Sequence, residues 1–368
     1  MAETTLNKLA SSLPVPLVQE LAKQPLDKVP ERYVRPDQYA LIISNTTNSL
    51  PQVPVIDMKN LFSQELGESE LEKMHIACKE WGFFQLINHG VSPSLVESVK
   101  KGIEQLFNLP IEEKEKFRQK PGDMEGLGQA FVVSEEQKLD WADIFLITMR
   151  PKHIRKSHLF PNFPNPFREN LDAYSLEVEN IVKKLLYQMA KVLRMEPNDM
   201  KELFDEGGWQ NMRMNYYPPC PQPDLVIGLN SHSDADALTI LLQINEMEGL
   251  QIRKDGMWIP VKPLPNAFIV NVGDILEILT NGIYRSIEHR AKVNGEKYRL
   301  SLATFLSPKL DREIGPAPSL VTPEKPALFR RIRVADYYKG YLSRELDRKS
   351  YLDVIRINNE EEKSSKVI

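Results

Sequence analysis

A change of hydrophobic period divides this chain. From Met212 to Phe305 the sequence breaks into six short runs with strand character: Met212 to Tyr217, Leu238 to Gln243, Leu250 to Lys254, Met257 to Val261, Phe268 to Val272 and Arg299 to Phe305. Period two is the signature of strands, and Asp255-Gly256 between two of the runs reads as a hairpin turn. No long helical pattern intervenes, so a doubly wound parallel sheet, which needs a crossover helix between strands, is disfavoured. An antiparallel sandwich or jelly roll fits the pattern.

Up to about Gly207 the helical period dominates. Leu95, Val96, Val99, Ile103, Leu106 and Phe107 form one face, entered through Ser92-Pro93, and a longer face runs from Leu171 to Leu193. Two strand-like runs, Val53 to Met58 and Phe83 to Asn88, are expected to join a sheet built mainly by the second half. Helical character returns from about Val334, and Asn358 to Ile368 reads as a charged, frayed tail. The expected fold class is therefore mixed α and β: a jelly-roll core with a helical N-terminal region around it and a C-terminal helix. The corresponding divisions are residues 1–207, 208–310 and 311–368.

Composition bounds the function. With 47 Lys+Arg against 51 Asp+Glu the net charge is −4, which argues against a nucleic-acid partner. No apolar run approaches the roughly 20 residues of a membrane helix, and the first residues show no secretory pattern. Cys78 and Cys220 are the two cysteines, too few for a disulfide framework, so the cytoplasm is the expected compartment. Phosphate loops, dinucleotide fingerprints, nucleophile elbows and zincin motifs are missing from the sequence.

Three polar groupings interrupt the strand half. In His232-Ser233-Asp234 the imidazole and carboxylate are two apart and share a strand face, and His289 follows downstream. Two imidazoles and one carboxylate leave metal positions open, the arrangement of non-haem Fe(II) oxygenases. Arg299 and Ser301 repeat the i, i+2 spacing with a guanidinium fork suited to a carboxylate, and Asn215 and Tyr217 repeat it with an amide and a phenol. Of the other histidines, His75 and His89 read as structural, and His153 and His158 as part of an exposed basic stretch beginning at Arg150. Two other readings remain open on the residues alone: a non-catalytic ligand-binding jelly roll, and a cupin-like metal enzyme that needs no co-substrate.

The motifs together resemble the plant 2-oxoglutarate and Fe(II)-dependent dioxygenases, a group that includes anthocyanidin synthase, flavonol synthase and the alkaloid O-demethylases. The resemblance runs through Pro54-Val-Ile-Asp57, Trp81-Gly-Phe-Phe-Gln85, Asn215-Tyr-Tyr-Pro-Pro-Cys-Pro-Gln-Pro223, His232-Ser-Asp234, Asn271-Val-Gly-Asp274 and Arg299-Leu-Ser301. Gly128-Gln-Ala-Phe131 and Leu139-Asp-Trp-Ala-Asp143 are most similar to the demethylase branch. It implies iron held by His232, Asp234 and His289, and 2-oxoglutarate gripped at its distal carboxylate by Arg299 and Ser301. Tyr217 and Asn215 would assist near the other end, and Phe305 and Phe131 would line the substrate pocket. Hydroxylation or O-demethylation of a small alkaloid or phenolic would then be coupled to conversion of 2-oxoglutarate and O2 to succinate, with ascorbate as a stimulant. Desaturation or oxidative cyclisation is the alternative outcome. No obligate protein partner is expected.

Overall fold

The computed structural model describes residues 12–35, 51–129, 132–204, 208–343 and 350–357. Its site-bearing strands, in chain order, are β1 (Val55–Asp57), β2 (Phe83–Ile87), β3 (Gly126–Gly128), β4 (Asp143–Arg150), β5 (Trp209–Tyr217), β6 (Leu229–His232), β7 (Leu238–Gln243), β8 (Leu250–Lys254), β9 (Met257–Pro260), β10 (Phe268–Val272), β11 (His289–Ala291) and β12 (Arg299–Ser307). Eight form one sheet in the order β1-β2-β10-β7-β12-β5-β4-β3, and four form a second in the order β6-β11-β8-β9. Every pairing in the two sheets is antiparallel except β1 with β2. This is the expected jelly roll. β1 and β2 do join the core from the N-terminal half, through β10.

Strand β12 shows how the sandwich assigns its two faces. Leu300, Leu302 and Leu306 belong to the large core shared with the helices Pro93–Phe107 and Asn165–Val192. Ala303 and Phe305, one residue out of phase, join Phe83, Leu241, Ile252 and Ile269 in a smaller cluster between the sheets. All nine residues of β12 are buried, because helices cover one face of the large sheet and the second sheet covers the other. The smaller inner cluster leaves room for polar side chains.

The helical period expected up to about Gly207 is interrupted by β4, which pairs with β5 over Asp143 to Arg150. Six of its eight residues are buried on both faces, so its sequence lacks the alternation that would mark a strand. The Asp255-Gly256 turn closes β8 onto β9 as expected: both residues have positive φ, 50° and 80°, and Lys254 pairs with Met257. The C-terminal helix Val334–Leu342 packs back across the open end of the sandwich and brings three tyrosines to the site. Asn358 to Ile368 and Phe131 lie outside the described residues.

Candidate active site

One cross-strand pair places two imidazoles. His232 ends β6 and stands directly opposite His289 at the start of β11, so both rings leave the second sheet on the same face, with centroids 4.3 Å apart. Asp234 arrives from the loop after β6. Its Oδ1 lies 3.5 Å from His232 Nε2 and 3.6 Å from His289 Nε2. All three residues are buried, and their potential ligand atoms lie within 4.8 Å of one another.

The surroundings prepare these atoms for a cation. His232 Nδ1 is 2.7 Å from the Asn230 carbonyl and His289 Nδ1 is 3.1 Å from the Ile287 carbonyl, so each Nδ1–H donates to the backbone two residues earlier and each Nε2 keeps its lone pair. His232 Nε2 is otherwise a buried atom with no hydrogen-bond partner. Asp234 Oδ2 accepts from Thr239 Oγ1 at 2.6 Å and Asn271 Nδ2 at 2.7 Å, which turns Oδ1 toward the imidazoles. Burial works to raise the Asp234 carboxyl, but His289, His232 and the Thr239 hydroxyl outweigh it and hold the group well below the usual carboxylate range. Burial and then repulsion from His232 push the His289 imidazole down to about 4. An ionised carboxylate and a neutral imidazole are the forms a metal needs, and this donor set fits iron(II).

The loop that carries Asp234 is fixed from behind. Asp274 N–H donates to the Asp234 carbonyl at 2.8 Å and Gly273 N–H to the Ala237 carbonyl at 2.9 Å. A Cβ at Gly273 would meet the Asp236 carbonyl oxygen at 2.0 Å, so only glycine allows this approach. Ser233 points away from the triad and donates to Asp274 Oδ2 at 3.2 Å.

From the triad a narrow cavity runs between the sheets to Arg299, passing Thr239, Asn215 and Ser301. Arg299 is 3% exposed, yet among the described residues no carboxylate lies within ion-pairing distance of its guanidinium. It donates through Nη2 to Gln243 Oε1 at 2.8 Å and reaches Ser301 Oγ at 3.5 Å, while its Nε is buried without a partner. A buried cation lacking an acid, beside a hydroxyl, suits an incoming carboxylate. Tyr217, expected toward the opposite end, stands beside Arg299 instead, because the β5–β12 register sets the two residues opposite each other and places the guanidinium 5.2 Å from the phenol ring. Asn215 follows one inward-facing position along and donates to Ser301 Oγ at 3.2 Å.

On the other side of the triad lies a second, more apolar cavity lined by Leu146, Trp209, Phe305, Tyr338, Tyr341 and Leu342. The C-terminal helix closes it. Tyr341 donates to the Ser233 carbonyl at 3.0 Å, Tyr338 to Asp236 Oδ1 at 2.6 Å and Tyr337 to Asp274 Oδ2 at 2.9 Å, so this helix is tied to the metal-ligand loop. Burial pushes the Asp236 carboxyl up to about 6, and its Oδ1 also accepts from Ser307.

Comparison with known proteins decides the family. Residues 208–308 match the model of the 2OG-Fe(II) oxygenase superfamily, and residues 53–166 match the non-haem dioxygenase in morphine synthesis N-terminal model. Oxoglutarate-dependent flavonoid 7-O-demethylase 1 of Ocimum basilicum is 56% identical over 98% of this chain and 95% of the relative, and codeine O-demethylase of Papaver somniferum is 54% identical over 97% and 100%. Protein SRG1 of Arabidopsis thaliana is 56% identical over 94% and 98%. The chain belongs to the 2-oxoglutarate and Fe(II)-dependent oxygenases. A crystal structure of JOX2 in complex with 2OG, Fe and JA superposes with a TM-score of 0.85 at 34% identity, covering 94% of this chain and 99% of that one. This oxygenase is thus an oxidoreductase that uses iron and 2-oxoglutarate, which sets aside the non-catalytic and co-substrate-free readings.

The histidines outside the triad lie elsewhere in the oxygenase. His75 Nδ1 meets the Tyr284 hydroxyl at 3.1 Å, and His89 stacks on Phe268 with ring centroids 3.9 Å apart. His153 is exposed and His158 partly buried. Thr239, Asn271, Gln243 and Tyr341 were not anticipated. The first two carried a signal, a polar residue inside the apolar runs Leu238–Gln243 and Phe268–Val272, whereas Gln243 ends its run and Tyr341 lies on the C-terminal helix, and each reaches the site by a hydrogen bond between residues far apart in sequence.

Proposed function

We propose that the oxygenase hydroxylates or O-demethylates a small, largely apolar aromatic metabolite of the alkaloid or phenolic kind, with residues 208–310 as its catalytic core and the cytosol as its compartment. The observation that carries this reading is the triad's position between a polar cavity ending at Arg299 and an apolar cavity beneath the C-terminal helix. The relatives named as demethylases act on a flavonoid and on codeine, and their similarity over almost the whole chain supports the reaction class. Among the described residues no helix is long and apolar enough to cross a membrane, and both cysteines are free and buried, which accords with a reducing compartment.

Each residue then has a task. His232, Asp234 and His289 would hold iron, which with 2-oxoglutarate and O2 would supply the oxidising chemistry for attack on a substrate carbon. Arg299 and Ser301 bind the distal carboxylate of 2-oxoglutarate, Tyr217 packs against the guanidinium, and Asn215 orients the serine. Phe305 separates the two cavities and presents an apolar wall to the metabolite. Thr239 and Asn271 fix the rotamer of Asp234. Tyr338, Tyr341 and Leu342 exclude water from the metabolite side.

Incubating the iron-loaded protein with 2-oxoglutarate and a panel of methoxylated flavones and alkaloids, and measuring succinate and formaldehyde together, tests the proposal. Equal amounts of both products with at least one compound are expected under demethylation, and a hydroxylated product with succinate under hydroxylation. Succinate that no aromatic metabolite stimulates would contradict it.

A further inference from the structure

The loop that follows the metal ligands carries a carboxylate that neither iron nor 2-oxoglutarate accounts for. Asp236 lies between β6 and β7 and lines the apolar cavity with Leu146, Trp209, Phe305, Tyr341 and Leu342. Its Oδ1 accepts from the Ser307 hydroxyl at the end of β12 and, at 2.6 Å, from the Tyr338 hydroxyl on the C-terminal helix. Two elements therefore hold the carboxyl in one orientation, and both do so at the same oxygen. Oδ2 accepts from none of the described groups, yet it is not among the polar atoms that packing has sealed without a partner. It stays open to the cavity.

The charges around Asp236 leave this oxygen without a cation. Ser307 and Tyr338 are neutral donors, and among the described residues no lysine or arginine lies within ion-pairing distance of the carboxylate. Of the other charged groups on the cavity wall, Arg213 has its guanidinium 5.2 Å from the Phe305 ring, Asp123 pairs with Lys156 at 3.0 Å, and Glu125 accepts the Thr148 N–H at 2.8 Å. Taking a carboxylate out of water is costly unless a partner compensates.

A purely structural role does not need this acid. Tying the helix to the strand uses one oxygen, and the carbonyl of an amide side chain would accept the same two hydrogen bonds. What the carboxylate adds is a negative charge and a second acceptor, held ready beside the space a metabolite would fill.

We propose that Asp236 determines metabolite specificity by accepting, at Oδ2, a hydrogen bond from a protonated amine on an otherwise apolar aromatic substrate. This rests on the reading of that cavity as the metabolite site, and it narrows the substrate to the amine-bearing class. An ammonium group brings both a donor and the opposite charge, whereas an alcohol of the same shape brings the donor alone.

A dimethoxyphenethylamine and the corresponding dimethoxyphenethyl alcohol differ only in this group. Each is titrated calorimetrically, without oxygen, into protein saturated with iron(II) and 2-oxoglutarate. The amine is expected to bind about tenfold more tightly than the alcohol, a factor typical of one charge-assisted hydrogen bond. In Asp236→Asn, which keeps an acceptor for Ser307 and Tyr338, the two should come within about twofold of each other. The visible band of the iron–2-oxoglutarate complex should still form in that variant at the wild-type co-substrate concentration. Equal binding of the two compounds to the wild type, or binding of neither, would overturn the proposal. So would an undiminished preference for the amine in Asp236→Asn, or loss of the band there, which would assign Asp236 to the metal site. The wider reading is judged apart, because succinate formed with neutral methoxylated flavones sustains it whatever the amine does.

Discussion

The two cavities that meet at the triad are built in different ways. The co-substrate side is made mainly by strands of the two facing sheets: β5 and β12 run antiparallel over nine residue pairs, their inward positions bring Tyr217, Arg299, Asn215 and Ser301 together, and β7, β8, β10 and β11 supply most of the remaining wall. The metabolite side is assembled from β4, the ends of β5 and β12, the loop around Asp236 and the C-terminal helix, segments far apart in the sequence. A regular ladder fixes side chains to within the pleat and offers little to vary. A pocket made of loops and a docked helix can change with each of its parts. The first arrangement suits a ligand common to every reaction, and the second a ligand that differs between enzymes.

The sharpest way to break this contrast is Arg299→Lys. The substitution keeps the charge but loses the fork, so the 2-oxoglutarate concentration needed for half-maximal succinate formation should rise roughly 10- to 100-fold. The dependence on metabolite should stay the same, and a shift confined to the metabolite would show the two cavities to be assigned the wrong way round. Thr239→Val tests the support behind the triad. It deletes the hydroxyl that turns Asp234 without changing the side chain's shape, and iron(II) affinity should fall about tenfold in an anaerobic iron titration.

Tyr341→Phe sharpens the other side. Losing one hydrogen bond to the Ser233 carbonyl should loosen the helical cover and raise the half-saturating metabolite concentration about three- to fivefold, with the 2-oxoglutarate dependence unmoved. Glu125→Gln should have the smallest kinetic effect and show itself in stability. Burial pushes this carboxyl from 4.5 up to about 7, and the Thr148 N–H that it accepts offsets only part of that shift. Between those two pH values the native state holds more protons than the unfolded chain, so the carboxylate's contribution declines as pH rises through the window. Glutamine keeps the acceptor and carries no charge. The variant's melting temperature should therefore gain on the wild type from pH 5 to pH 8, and a constant difference would remove Glu125 as the cause.

The same contrast explains what the sequence discloses. Strands β7, β8, β10 and β12 are legible as short apolar runs bounded by turn residues, and His232 with Asp234, like Arg299 with Ser301, stands out as a polar pair two residues apart. β6 and β11 are too short and too polar to register, although they place both imidazoles; only their pairing in space makes His232 and His289 neighbours. β4 is hidden because both of its faces are buried. Tyr341 offered no local pattern, because it reaches the site by donating to the Ser233 carbonyl across a separation no periodicity spans.

The central claim is that His232, Asp234 and His289 hold an iron to which 2-oxoglutarate binds. Titrating the anaerobic iron(II) protein with 2-oxoglutarate and following the visible absorption tests it most directly. The account predicts a saturable band at one equivalent per chain in the wild type and its absence in His232→Ala at the same concentrations. An unchanged band in His232→Ala would contradict it.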